Sequence, residues 1–224
     1  MRRVLPIVHF SLISLLLTAL AYPAFSEDIQ TLINKAESGN PEVQFNLGVA
    51  YGKGEGVLQD YVEAAKWYRM AAEQGFTQAQ NNLGLAYGKG EGVPRDYAEA
   101  MKWYRMAAEQ GLAQAQNNLG VAYDKGEGVP QDYAESIKWF LMAAEQGHAV
   151  AQCNLGTYYD DGKGVPQDYL FAYFWWSLAT TRNTGGGYDR CAYYRDRAAK
   201  QLTPEQLIKA QQMISDWEAK HPRK

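Results

Sequence analysis

The chain has 224 residues, 22 basic and 25 acidic, with two cysteines. That slightly acidic balance supplies no basic face for nucleic acid or anionic lipid. Two cysteines are too few for a cysteine-framework domain.

Residues 1–26 read as a secretory signal peptide. Arg2 and Arg3 form a short basic region, an apolar run follows over residues 4–21, and Ala24-Phe25-Ser26 places small residues before a cut at Glu27. The run is also long enough for an uncleaved membrane anchor; Pro23 and the small residues favour cleavage. No cysteine follows the cut, so a lipid anchor is not indicated, and no second apolar stretch spans a bilayer. The expected compartment is the periplasm, with secretion as the alternative.

A helix is predicted over residues 28–38, with Ile29, Leu32, Ile33 and Ala36 on one face. From there a 36-residue period governs the chain. Leu47-Gly48, Leu83-Gly84, Leu119-Gly120 and Leu155-Gly156 keep it, as do Tyr51, Tyr87, Tyr123 and Tyr159, and Trp67, Trp103, Trp139 and Trp175. A fixed period of this size means a solenoid whose units must stack to bury their apolar stripes.

Each unit reads as two helices, A and B. In the second, Ala79, Leu83, Ala86 and Tyr87 make the stripe of A. Gly84 inside that helix costs about 1 kcal/mol relative to Ala, so its recurrence predicts a partner helix too close for a Cβ. The segment from Gly88 to Pro94 is expected to stop the helix. Its glycines are turn chemistry, because no Gly-Lys-Ser/Thr opens a helix there. Helix B opens with Asp96 and Glu99, read as a capping box and repeated by Asp60/Glu63 and Asp132/Glu135. Ala100, Trp103, Tyr104, Ala107 and Ala108 form its buried stripe.

The pattern L-G-x-x-Y, G-x-G-V-x-x-D-Y, A-x-x-W-Y/F-x-x-A-A-x-x-G resembles the Sel-one-like repeat, a relative of the tetratricopeptide repeat. Four units match between Asn40 and about Thr181. The resemblance implies an all-α fold, a right-handed α-solenoid of stacked antiparallel helix pairs with a concave face lined mainly by A helices. It implies a protein–protein interaction scaffold or adaptor, and brings no common catalytic residues. Some cysteine-rich exported members bind penicillin and weakly hydrolyse β-lactams. Their paired cysteines are missing here, so a glycan- or β-lactam-directed enzyme is the secondary reading.

The fourth unit departs from the template. Its B helix reads Tyr169-Leu170-Phe171-Ala172-Tyr173-Phe174-Trp175-Trp176, and Asn183-Thr184-Gly185-Gly186-Gly187 follows it. The extra aromatics either fill the last groove beneath a cap or make a local binding patch. Residues 188–201 read as a degenerate A-type helix. Thr203, Pro204 and Gln206 open a capping helix with Leu207, Ala210, Ile214 and Trp217 as its stripe. The expected organisation is a signal peptide over 1–26, a capping helix over 27–39 and four repeats over 40–182. A glycine-rich loop with a degenerate helix over 183–202 and a C-terminal cap with basic tail over 203–224 complete it.

If the A helices orient as in tetratricopeptide repeats, the concave face carries Phe45, Asn81, Asn82, Leu85, Asn117, Asn118, Val121, Asp124, Asn154 and Asp160. Asparagine both donates and accepts, which suits it to a peptide backbone, and Leu85 and Val121 would seat a side chain. The same residues also read as solvated helix surface multiplied by repeat duplication. Cys153 and Cys191 are either a disulfide or two inert thiols. His148 and His221 read as surface residues without ligand spacing. The serines match no nucleophile motif, and the acidic group Asp160, Asp161 and Asp168 lacks calcium-loop spacing. No catalytic residue, metal or cofactor is expected, and the partner is a protein bound by a monomer.

Overall fold

A computed structural model describes residues 23–181 and 189–222, with side chains from residue 29 onward. Among the described residues every regular element is a helix. They are α1 (Pro23–Glu37), α2 (Pro41–Lys53), α3 (Tyr61–Glu73), α4 (Thr77–Lys89), α5 (Tyr97–Glu109), α6 (Ala113–Lys125), α7 (Tyr133–Glu145), α8 (Ala149–Asp161), α9 (Tyr169–Thr181), α10 (Asp189–Ala199) and α11 (Pro204–Lys220). The fold is an α-solenoid of consecutive helix pairs. The chain divides into two compact units at Arg95 and Asp96, each taken by itself below.

In the first unit α1 packs on α2, α2 on α3 and α3 on α4. Ile29, Leu32 and Ile33 of α1 meet Ala36, Leu47 and Trp67 in one apolar cluster, as a capping helix requires. The helix begins at Pro23, earlier than the predicted 28, and runs through the expected signal-peptide cut. Residues 1–22 lie outside the described residues.

In the second unit α5 pairs with α6, α6 with α7, α7 with α8 and α8 with α9, while α10 and α11 both pack on α9. One cluster gathers Phe140, Leu155, Tyr158, Phe174, Trp175, Leu178 and Trp217. Trp217 of α11 therefore belongs to the core that the last repeat would otherwise leave open.

Local chemistry sets the helix ends. The Asp60 carboxylate accepts from the backbone N–H of Val62 (2.8 Å) and Glu63 (3.1 Å), and Asp132 caps α7 in the same way. The reciprocal half of the expected box does not form. The N–H of Asp60 donates to Tyr51 O, and that of Asp132 to Tyr123 O, so neither needs the glutamate. Glu63, Glu99 and Glu135 turn instead to Lys66, Lys102 and Lys138. Among the described residues a complete capping box is seen at the start of α11, between Thr203 and Gln206. The A helices also run one residue past Gly88 and its equivalents. In α4 the stop is Gly90 at φ 76°, whose N–H donates to Ala86 O; this left-handed cap suits glycine.

The glycine inside the A helix has the predicted cause. A Cβ on Gly48 would meet the Tyr68 ring at 2.7 Å, on Gly120 the Phe140 ring at 2.6 Å, and on Gly156 the Trp176 ring at 2.5 Å. The B-helix aromatic of the same repeat lies directly on the A-helix backbone.

The repeat also buries a glutamine. Gln44, Gln80, Gln116 and Gln152 are each at most 2% exposed. Their side-chain N–H groups donate to the carbonyls of Ala36, Ala72, Ala108 and Ala144 at 3.1–3.2 Å. Those carbonyls lie in the last turn of the preceding helix and also accept from the N–H of Gly39, Gly75, Gly111 and Gly147. Gln44 and Gln116 in turn accept from Gln74 and Gln146, each at 2.7 Å. The same register beside Gln152 is position 182, outside the described residues.

Candidate interaction face

The predicted face residues divide by burial. In the first unit Phe45 is half-buried, with its ring 5.9 Å from Tyr68 and 5.2 Å from Phe76. Asn81 is only 5% exposed and donates to Asn82 at 3.4 Å. Asn82 and Leu85 are half-exposed. Burial pushes the Tyr68 phenol above its ordinary range, and a hydrogen bond with Asn82 partly offsets this.

The second unit repeats the division. Asn117 is 5% exposed and accepts from Asn154 at 3.4 Å. Asn118, Val121 and Asn154 are half-exposed, and Asn118 accepts from Gln114 at 3.4 Å. Asn81 and Asn117 thus sit beneath the surface and position their asparagine neighbours. The accessible part of the predicted face is Phe45, Asn82 and Leu85 in one unit, and Asn118, Val121 and Asn154 in the other.

Asp124 and Asp160 are held by cations rather than standing open. Asp160 pairs with Arg197 of α10, and the Arg197 guanidinium lies 5.2 Å from the Tyr194 ring centre. Asp168 caps α9 through Leu170 and Phe171 N–H. The expected acidic group is therefore split between two structural tasks, and no metal-ligand cluster of His, Cys, Asp or Glu forms among the described residues.

Asp124 anchors a buried network that the sequence reading missed. Its Oδ1 accepts from Tyr158 OH at 2.6 Å and from Lys163. Tyr158 meets Ser136 Oγ at 2.8 Å, and Ser136 is 2.8 Å from Gly120 O. Lys163 Nζ also lies 4.4 Å from the Tyr133 ring centre. A carboxylate and a carbonyl only accept, so two hydroxyl hydrogens serve three oxygen–oxygen contacts. Burial, then Asp124, pushes the Tyr158 phenol well above its ordinary range despite the opposing hydrogen bond from Ser136. Ser136 is fully buried, hydrogen-bonded between Tyr158 and the Gly120 carbonyl. A column comparison would have found the network. Ser136 replaces Ala64, Ala100 and Ala172; Tyr158 replaces Ala50, Ala86 and Ala122; Lys163 replaces Glu55, Glu91 and Glu127.

Cys153 of α8 and Cys191 of α10 form a disulfide with Cα atoms 6.0 Å apart. Neither histidine is a plain surface residue. His148 caps α8, accepting from Ala151 N–H at Nδ1 (3.3 Å), and its Nε2 faces Gln114 at 3.1 Å. Desolvation lowers its pKa below the ordinary histidine value. His221 stacks on Trp217 at 4.1 Å and faces Glu145. Of the two roles weighed for the fourth-repeat aromatics, Trp175 and Trp176 fill the core, at 4% and 1% exposure, while Phe171 is 38% exposed and stacks on Tyr159.

Helix hairpins at a constant 36-residue register, each glycine-to-aromatic seam built alike, define a repeat solenoid of the tetratricopeptide-like class. The Sel1 repeat model matches residues 41–76, 77–112, 113–148 and 149–183. The chain belongs to the Sel1 repeat family, whose members are generally protein–protein interaction scaffolds. None of the curated proteins matches it. Among solved structures it is similar to a protective antigen of uropathogenic Escherichia coli strains displaying an SLR fold, at 49% identity and TM-score 0.66. That match covers 69% of this chain and 33% of the antigen, so the chain spans about a third of that relative. A Sel1 repeat protein from Oxalobacter formigenes is 34% identical with TM-score 0.65, over 84% of this chain and 85% of the other. An immunity protein from Pseudomonas aeruginosa shares the fold at 19% identity and TM-score 0.53, over 98% of this chain and 87% of its own.

Proposed function

We propose that this chain is an exported interaction scaffold that holds a segment of a partner protein on its A-helix face. The observation that carries the reading is the recurrence of a half-exposed asparagine beside an apolar residue one turn on, Asn82 with Leu85 and Asn118 with Val121. Such pairs offer a backbone both donor and acceptor next to an apolar seat. The amides beneath, Asn81 and Asn117, hydrogen-bond to asparagines of that surface. Export is supported by the basic, apolar and small-residue order of residues 1–26 and by the paired cysteines, which suit an oxidising compartment.

The test immobilises the chain and captures partners from an envelope extract of its own host. A partner retained by the wild type and by Met106→Ala, which alters an exposed B-helix residue, should be lost from Asn82→Ala/Asn118→Ala/Val121→Ala. Equal retention by the triple variant, with unchanged helicity, would sink the A-helix face. Export is tested separately, by N-terminal sequencing of the chain recovered from the periplasm or medium. A mature N-terminus at Glu27 is expected, and recovery only from the cytoplasm would remove that part of the reading.

A further inference from the structure

We infer that the Cys153–Cys191 disulfide is a redox control on the docking of α10, so that its reduction releases this helix alone from the second unit. The inference is independent of which surface binds a partner. α10 has eleven residues, of which only Cys191 and Ala198 are buried. So small an apolar footprint holds a helix weakly. One of the two buried residues is the bridged cysteine itself. The other ties are Arg197 to Asp160, Arg195 to Thr180 at 3.2 Å, and the half-buried Tyr194 ring stacked on the buried Trp176 at 5.6 Å. In the Arg197–Asp160 pair the guanidinium is 52% exposed and the carboxylate 8%, so solvent screens the cation and weakens the tie.

The elements around α10 have their own anchors. α11 packs on α9 and places Trp217 in the main cluster. α8 holds Leu155 and Tyr158 in that same cluster. Undocking α10 leaves these contacts in place and uncovers Trp176, now 1% exposed, with the carboxylate of Asp160. Cys153 is half-buried where Cys191 is 4% exposed, so the attack is assigned to its sulfur. A dithiol reductant attacks it as thiolate, breaking the S–S bond and forming a mixed disulfide. The second thiol of the reductant then closes its own ring. Two electrons and two protons pass to the protein, leaving Cys153 and Cys191 as thiols and the reductant as a cyclic disulfide.

Hydrogen exchange on the full chain, oxidised and after treatment with dithiothreitol, reads this directly. Amides of α10 should lose protection by about tenfold or more on reduction, while those of α8, α9 and α11 keep theirs. Cys153→Ser/Cys191→Ser should match the reduced protein. Arg197→Ala with the bridge intact should leave α10 protected. Unchanged α10 protection in the reduced protein would overturn the inference by showing that packing alone suffices. Equal loss across α8 and α9 would overturn it too, by making the bridge a global staple.

Discussion

The α2–α4 stretch of the first unit and the α6–α8 stretch of the second use the same helix lengths and register, yet their interiors differ in kind. In the first, registers that approach one another hold Ala50, Gly52, Ala64 and Ala86, and the nearby charges Lys89 and Glu91 pair on the surface. In the second, Asp124, Ser136 and Tyr158 occupy three of those registers, and Lys163 stands where Glu91 does and turns inward. The hairpin tolerates either filling because the change is made as a set. A tyrosine hydroxyl alone among alanines would be a buried group without a partner, and an inward lysine without Asp124 an unpaired charge.

The shared element sets the scale for testing this contrast. Trp67 and Trp139 are buried alike, at 6% and 7% exposure. Trp67→Ala and Trp139→Ala should each cost about 3–5 kcal/mol in denaturant unfolding. Costs differing by more than about 1 kcal/mol would break the claim of a common scaffold.

Next comes the glycine seam. Gly156→Ala drives a methyl into Trp176, which is 1% exposed and cannot yield; a loss of about 3 kcal/mol is expected. Gly48→Ala meets half-buried Tyr68, which has room to turn, and about 1 kcal/mol is expected. Equal losses would show that the aromatic does not decide the cost.

The polar network is sharpened by a double-mutant cycle. Tyr158→Phe removes a hydrogen bond to a carboxylate and should cost about 2 kcal/mol, and Ser136→Ala about 1 kcal/mol. The pair should be non-additive. Simple additivity would mean that the two hydroxyls act separately.

A smaller effect distinguishes His148 from Asn40, which cap α8 and α2 at the same register. The neutral imidazole accepts Ala151 N–H, and burial lowers its folded pKa. Its contribution is therefore fully present above the unfolded histidine value of about 6.5 and is lost as pH falls through and below it. The thermal midpoint should drop more between pH 7.5 and 5 in the wild type than in His148→Asn, whose amide caps without titrating. Parallel profiles would remove the histidine from the account. The least effect belongs to Lys138→Ala. It opens an exposed pair with Glu135 and should change stability by under about 0.5 kcal/mol.

The site was less legible than the fold, for a physical reason visible in single residues. Leu, Gly, Tyr and Trp recur because every hairpin must bury the same stripe, so period alone revealed them. Asn81 and Asn82 are adjacent and chemically identical, yet one is buried and the other open. Only the helix rotation against its neighbours decides which. Lys163 is likewise an ordinary loop lysine until the next hairpin sets Asp124 beside it. By itself the sequence determined the helical register, the Asp caps, the C-terminal capping box and the need for glycine in the A helix, all governed by contacts near in sequence or repeated every 36 residues. The tertiary structure decided what depends on side chains meeting across hairpins: the buried glutamines, the Ser136–Tyr158–Asp124–Lys163 network and the pairing of Cys153 with Cys191.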